Sequence, residues 1–347
     1  MPASNVNWPT PLIRWPTLFP GQQGVPGTDS DRGLRQDSNG KILWVDRNHV
    51  DANDNRDGTN PDSPLATVGA ALTKCRAYMG DVIVVAFNGM WMHANTGAGL
   101  RILPVNESVI VTVPGVRIVG LAPPSSLGVP WFPAGANETC ITVRAIDVLI
   151  EGFSFWQTGL AGTTAIIAEW GTPVPPPVLG PYYGDNLTVR HCYFRALAYG
   201  IQLDFSYYTY VEDCRFESMT TAAIHNPSVY GEPDWCVIRN NMFTSNAADL
   251  NLPAVDSCLI ENNRFMDVTA AIVLTGGSGN TIHANTIQGS PVGANNYVNL
   301  AGGANNIVSQ NMLACTIAQY DTTCSDATSG SWVGNLCTNG TATAPPV

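Results

Sequence analysis

The stretch LIENNRF, residues 259–265, places two adjacent amides inside a segment that otherwise alternates like a strand, and VIRNNMF, residues 237–243, stands 22 residues before it. A string that returns at a fixed period is a repeat before it is anything else. Aligned on the pattern apolar, x, x, Asn or Cys, x, Phe or aliphatic, the chain yields VRHCYF (189–194), VEDCRF (211–216), IRNNMF (238–243), IENNRF (260–265), IHANTI (282–287) and VSQNML (308–313). IEGFSF (150–155) is an earlier copy, and VRIVGLA (116–122) a weaker one.

Each copy from 189 to 287 is followed by a second short apolar run, for example GIQLD at 200 and AIVLT at 271. A unit of two or three short strands cannot bury its apolar face alone, but stacked units share one continuous core. The spacing therefore predicts an all-β fold, a right-handed, single-stranded parallel β-helix. The fourth motif position, Cys192, Cys214, Asn241, Asn263, Asn285 and Asn311, becomes one column, an amide ladder at a turn in which Asn also tolerates a left-handed backbone. Cys236 and Cys258 fall in a second column of small buried residues, so the even cysteine spacing reads as packing rather than as disulfides or a metal centre. The second motif position, Arg190, Glu212, Arg239, Glu261, His283 and Ser309, predicts alternating charges on an outer face that hold the register.

Only 12% of the 347 residues are charged, the formal net charge is -11, and Lys occurs at Lys41 and Lys74 alone. That balance removes the electrostatic basis for nucleic acid or anionic membranes as partners. The N-terminus has no basic and apolar leader, and no 18-residue apolar run is present, so the chain reads as soluble and made in a cytoplasm without Sec export.

Three regions follow. Residues 1–40, with six prolines, form an extended arm without periodicity, whose Trp8, Leu12, Ile13, Trp15, Leu18 and Phe19 suit docking on a partner. Residues 41–313 form the β-helix, with a capping helix expected within 63–80, Ser63 as N-cap, Pro64 at its first position and Gly80 as its stop, and with loop excursions at 86–100, 122–139 and 156–186. Residues 314–347, carrying Cys315, Cys324 and Cys337, form a C-terminal cap and tail.

The run WVDRNHVDANDNRDGTNPDSPLATVGAALTKCRAYMGDVIVV, then VPGVRIVGLAPPSS, VLIEGFSF and the terminal SGSWVGN, resembles a family of phage-encoded virion proteins with the pectate-lyase-like β-helix fold. The resemblance implies a homotrimeric capsid decoration or cement protein on the capsid surface, docking through its arm on the major capsid protein, and not an enzyme. The alternative is a tailspike or fibre that binds or cleaves host polysaccharide as a lyase or glycosidase.

For that alternative the catalytic candidates are Asp204, Asp213 and Asp249, with Asp234, His191 and His225 as further titratable groups at strand ends. Trp170, Tyr182, Tyr183, Tyr207, Tyr208 and Tyr210 are candidates for contact with a sugar or a second subunit. Asp51, Asn53, Asn55 and Asp57 alternate like a calcium loop, but Gly58 comes two residues late and no bidentate Glu follows, so the expectation is an Asx-rich turn with no metal or other cofactor.

Overall fold

The computed structural model describes residues 40–87, 104–122, 127–157, 159–169, 184–204, 206–227, 233–267, 270–289, 297–300, 303–325, 331–342 and 346. The arm with its docking candidates, and Trp170, Tyr182 and Tyr183, lie outside them. Among the described residues three parallel sheets run the length of the molecule, with eleven, eleven and nine strands. One coil of the repeat contributes Val237–Arg239 to the first sheet, Met242–Thr244 to the second and Leu250–Asn251 to the third. The chain is thus a parallel β-helix with three strands per coil.

Register follows the sequence motif. Ile150, Val189, Val211, Ile238, Ile260, Ile282 and Val308 pair in succession on the first sheet, all pointing inward and fully buried. On the second sheet Phe155, Phe194, Phe216, Phe243 and Phe265 form a continuous stack, with centroid separations of 5.2, 4.6, 5.0 and 4.8 Å. The coil spacing of about 4.8 Å leaves no choice of geometry but face-to-face rings, and each buried pair adds roughly 0.5–1.5 kcal/mol beyond its area.

The two amides of LIENNRF divide the corner between them. Asn262 takes the left-handed backbone (φ 54°), as do Asn240, His191, Asp213, Ala284 and Gln310 in other coils. Asn263, one residue on, is 1% exposed and forms the ladder. Its Oδ1 accepts from the backbone N–H and the side-chain Nδ2 of Asn241, and its own Nδ2 donates to the Ile238 carbonyl and to Asn285 Oδ1. The left-handed residue is therefore the one before the ladder asparagine. The ladder runs on through Asn311 to Asn335, so the repeat register continues past residue 313, where the sequence reading ended it. Strand Ser331–Val333 pairs with Ile307–Ser309, and the antiparallel strand Gly340–Ala342 closes the second sheet.

A second ladder went unread in the sequence. Cys258 N–H donates to Asn280 Oδ1, and Asn280 donates from backbone and side chain to Asn306 Oδ1, so the Cys236–Cys258 column becomes asparagine. The cysteines are all free, with Cys315 and Cys337 in contact at 3.9 Å between sulfurs.

The helix near the N-terminus is shorter than expected, Val68–Lys74, capped by Thr67 rather than Ser63. Leu65 is spent on strand pairing: it bridges to Val45 and exchanges backbone bonds with Trp44 and Asp46, which holds residues 63–66 extended. Asp54 accepts from the N–H groups of Ala66 and Thr67 and so fixes the start of the helix. Val68, Ala71 and Leu72 join the main core.

Within the calcium-like loop Asn53 accepts from Asn55 N–H and Asp57 from Thr59, and Asp51 faces Arg56 at 3.8 Å. These are local Asx turns.

Replacing Asn263 by Ala removes the acceptor of two buried N–H donors on Asn241. We expect a loss of at least about 1–3 kcal/mol in urea unfolding, the cost of leaving a buried donor unsatisfied, against a smaller loss for the exposed Asn60→Ala, which gives up one solvated turn bond from Asp62 N–H. Equal effects of the two would contradict the ladder's role.

Candidate functional site

Two groups of ionisable side chains differ in one physical respect, whether each carboxylate at their centre is held by a cation. On the first sheet Glu151, 1% exposed, accepts at Oε2 from Arg190 Nε and meets His191 Nδ1 at Oε1, both at 3.1 Å. Burial would raise the Glu151 carboxyl, but the His191 and Arg190 contacts outweigh it and hold it below the ordinary range. Arg239 meets Glu212 at 2.6 Å in the same column, which is the predicted charge ladder. Its Arg190 and Glu151 end is buried rather than on an open face. Asp213, a catalytic candidate, sits at a left-handed corner with its side chain 45% exposed, 3.9 Å from His191 Nε2. Both Glu151 oxygens are thus taken up within this network, which holds coils together, although Arg190 Nη2 is buried without a partner among the described residues.

The outward side of the third sheet is different. Strands Thr164–Glu169 and Tyr199–Asp204 are parallel neighbours that pair Glu169 with Asp204, and their companion Thr139–Val143 brings Arg144 to the same row. Arg144 Nε donates to Glu169 Oε1 at 2.7 Å, with a second guanidinium contact to the same oxygen. Asp204 has no such cation among the described residues. Its Oδ1 is buried without a hydrogen-bond partner among the described residues, and burial, followed by the charge of Glu169, pushes its carboxyl above the usual aspartate range.

One coil on, in the adjacent row, His225 pairs in register with Gln202 and stacks on Tyr199 with ring centroids 5.1 Å apart. Its Nδ1 is also buried without a partner among the described residues, and burial lowers its pKa. The sequence offers Asp204 and His225 as separate candidates. Their gathering with Glu169, Arg144 and Tyr199 is not visible there, since it depends on the register of strands 35 residues apart.

Asp249 is placed inside the helix rather than at a surface, 1% exposed, with Oδ1 accepting from Asn246 Nδ2 at 2.8 Å and Oδ2 unpartnered among the described residues. Burial raises its carboxyl to about 8. It cannot meet a substrate there and is corrected to an internal, proton-holding residue. Of the aromatic candidates, Tyr208 lies exposed at a corner, while Tyr207 and Tyr210 are half-buried.

An open pocket of about 530 Å³ near the C-terminal end is lined by Ile287, Met312, Leu313, Leu336 and Cys337, with no carboxylate or imidazole among its lining residues. Among the described residues no three His, Cys, Asp or Glu side chains could hold a metal, and no helix is long and apolar enough to cross a membrane.

A family model described as periplasmic copper-binding protein (NosD) matches residues 181–332. The donors of this chain do not gather as a copper set among the described residues, and copper enters no step proposed for it. No curated protein matches the chain. Among solved structures it is similar to a lacto-N-biosidase from Eubacterium ramulus, at 11% identity over 86% of this chain and 68% of that one, with a TM-score of 0.44. It is similar also to a mutant tailspike of the E. coli bacteriophage HK620 in complex with a pentasaccharide, at 12% identity over 83% and 63%, with a TM-score of 0.33. A third is the enzymatically active domain of tailspike protein 2 from bacteriophage CBA120, at 11% identity over 78% and 44%, with a TM-score of 0.35. The chain spans between 44% and 68% of the length of these three structures.

The expectation of a chain without enzymatic activity is corrected here. The structures it is similar to include a biosidase and an enzymatically active tailspike domain. TM-scores this low transfer no residue roles, so any chemistry has to come from this chain's own geometry.

Asp249 gives the structure a signed pH dependence. Between about pH 4 and 8 the unfolded chain releases this proton while the folded chain keeps it, so stability falls as pH rises through that window. Asp249→Asn, which cannot ionise, should flatten the fall in urea unfolding at pH 5, 6.5 and 8. An unchanged slope in the variant would show that Asp249 ionises normally.

Proposed function

We propose that the chain acts on glycans, as a glycosidase whose reacting groups are Asp204 and Glu169 on the outward face of the third sheet. The single observation that carries this is the pair itself: two carboxylates in register on adjacent strands, one held by Arg144, the other half-buried, with no cation and one unpartnered oxygen among the described residues. Glycoside hydrolysis needs one carboxyl that keeps its proton and one that stays charged. An unpartnered oxygen calls for an explanation, and on a half-exposed carboxyl, unlike Asp249 inside the helix, a ligand supplies one.

In this reading Asp204 protonates the glycosidic oxygen of the leaving sugar. Glu169, held by Arg144, attacks or stabilises the anomeric carbon. Neighbouring strands about 4.8 Å apart place the two residues side by side, which suits the roughly 5 Å carboxyl separation of retaining enzymes better than the roughly 6.5–9.5 Å that leaves room for a water in inverting ones. Asp204 then takes a proton from the water that releases the product. Tyr199, stacked with His225, offers a flat surface beside the pair. The helix Val68–Lys74 caps the N-terminal end of the stack in this picture, and a tailspike or fibre is the setting in which a rigid glycan-acting β-helix fits. The Glu169–Asp204 pair favours this reading over capsid decoration, whose docking arm lies outside the described residues.

The test is release of reducing ends from bacterial surface polysaccharides and from neutral oligosaccharides, with the anomer of the first product read by proton NMR. Retention of configuration is expected, with kcat lowered about 10²–10⁴-fold in Asp204→Asn and to a similar extent in Glu169→Gln. Full activity in Asp204→Asn, or no hydrolysis of any substrate in the panel, would overturn the assignment.

A further inference from the structure

One corner of the helix, between the third and first sheets, carries a column of left-handed residues: Asp147, Asn186, Tyr208, Trp235, Ser257, Gly279 and Asn305. Five of these are Asp, Asn, Ser or Gly, which tolerate that backbone. Tyr208 (φ 56°) and Trp235 (φ 52°) are bulky aromatics for which it is a strained outlier. Each donates its backbone N–H to the next coil, Tyr208 to the Asp234 carbonyl and Trp235 to the Asp256 carbonyl, so the strain is built into the stack.

Packing does not account for them. Both are 48% exposed, and their rings lie nearly parallel, 5.2 Å apart with 10° between planes. Tyr207 adds a third ring 6.2 Å from Trp235. We propose that Tyr208 and Trp235 form a binding platform for an uncharged glycan, separate from the carboxylate pair.

The choice of ligand rests on chemistry at the corner, and on the glycan reading given above for its class. Stacked ring faces offer the flat, apolar surface that a pyranose ring covers with its C–H groups. The residues alongside are Asp147, Asp185, Asp234 and Asp256, with no Lys or Arg in either column. Asp185 is itself partly buried, its carboxyl raised to about 6 by that burial. Such a rim repels sialylated, sulfated or phosphorylated ligands, and it repels a second copy of the same face. Carboxylates and backbone carbonyls do accept hydrogen bonds from sugar hydroxyls. The platform is also near the proposed reacting pair along the chain, since Tyr208 follows Asp204 by four residues in the same coil. A glycan crossing the third sheet would turn this corner next.

The experiment uses the full chain carrying Asp204→Asn, which removes turnover, on an array of neutral hexose and N-acetylhexosamine oligosaccharides with sialylated and sulfated counterparts. Trp235→Asn and Tyr208→Asn in that background put a residue suited to the left-handed backbone in place of each ring. We expect at least tenfold weaker binding to neutral glycans, with Tm no lower than that of the parent. Binding within twofold of the parent, a preference for charged glycans, or a change in sedimentation rather than in binding would each overturn the platform. Loss of binding in the ring variants of a chain that never cleaves glycan would uphold the platform while removing the catalytic assignment. Cleavage by the native chain together with unaffected binding in the ring variants would do the reverse.

Discussion

Every feature of this molecule depends on one constraint: successive coils must stack in register at the spacing of a parallel sheet, about 4.8 Å. The constraint acts on the interior first. It turns five phenylalanines into one stack and seven β-branched residues into one column. It acts on the corners next, because a turn repeated at the same spacing must satisfy the same buried N–H groups in each coil. Asn263 does this by accepting twice from the coil before it and donating to the coil after it. A side chain with only one kind of hydrogen-bonding group could not continue the chain of contacts in both directions.

The same constraint makes the outer face chemically consequential. In a stacked helix any two residues at equivalent positions become neighbours, however far apart they lie in sequence. Where their charges alternate, as in Glu212 and Arg239, the outcome is a salt bridge that holds the register. Where two carboxylates meet, as in Glu169 and Asp204, stacking works against the fold unless something else neutralises the pair. Arg144 neutralises one member, and partial burial together with the charge of Glu169 shifts the other's pKa upward. A column that costs stability in this way, on a face with a stacked Tyr199 and His225 beside it, is where a ligand-directed role is most economically placed.

How far this was legible in the sequence depended on periodicity. LIENNRF could be read because its inward Ile260 and Phe265 and its ladder Asn263 recur at nearly constant spacing. The second ladder was missed because its column changes identity, from Cys236 and Cys258 to Asn280 and Asn306, and no single motif covers both. The helix start was misplaced because Ser63–Pro64 is a sound local signal that tertiary pairing of Leu65 overrides. Glu169 was not recognised at all. It lies 35 residues before Asp204, off the 22- to 27-residue repeat period, and only the strand register shows that they are paired. Asp249 shows the opposite failure, a carboxylate whose position at a strand start looked accessible but whose side chain turns inward.

Where a sugar binds is the direct test of the carboxylate pair. A crystal structure of the Asp204→Asn variant with a cleavable oligosaccharide should show a glycosidic oxygen within hydrogen-bond reach of the side-chain amide introduced at position 204, the anomeric carbon facing Glu169, and the Arg144–Glu169 contact intact. Density for the sugar on another face, with the row of Arg144, Glu169 and residue 204 left open to solvent, would contradict it.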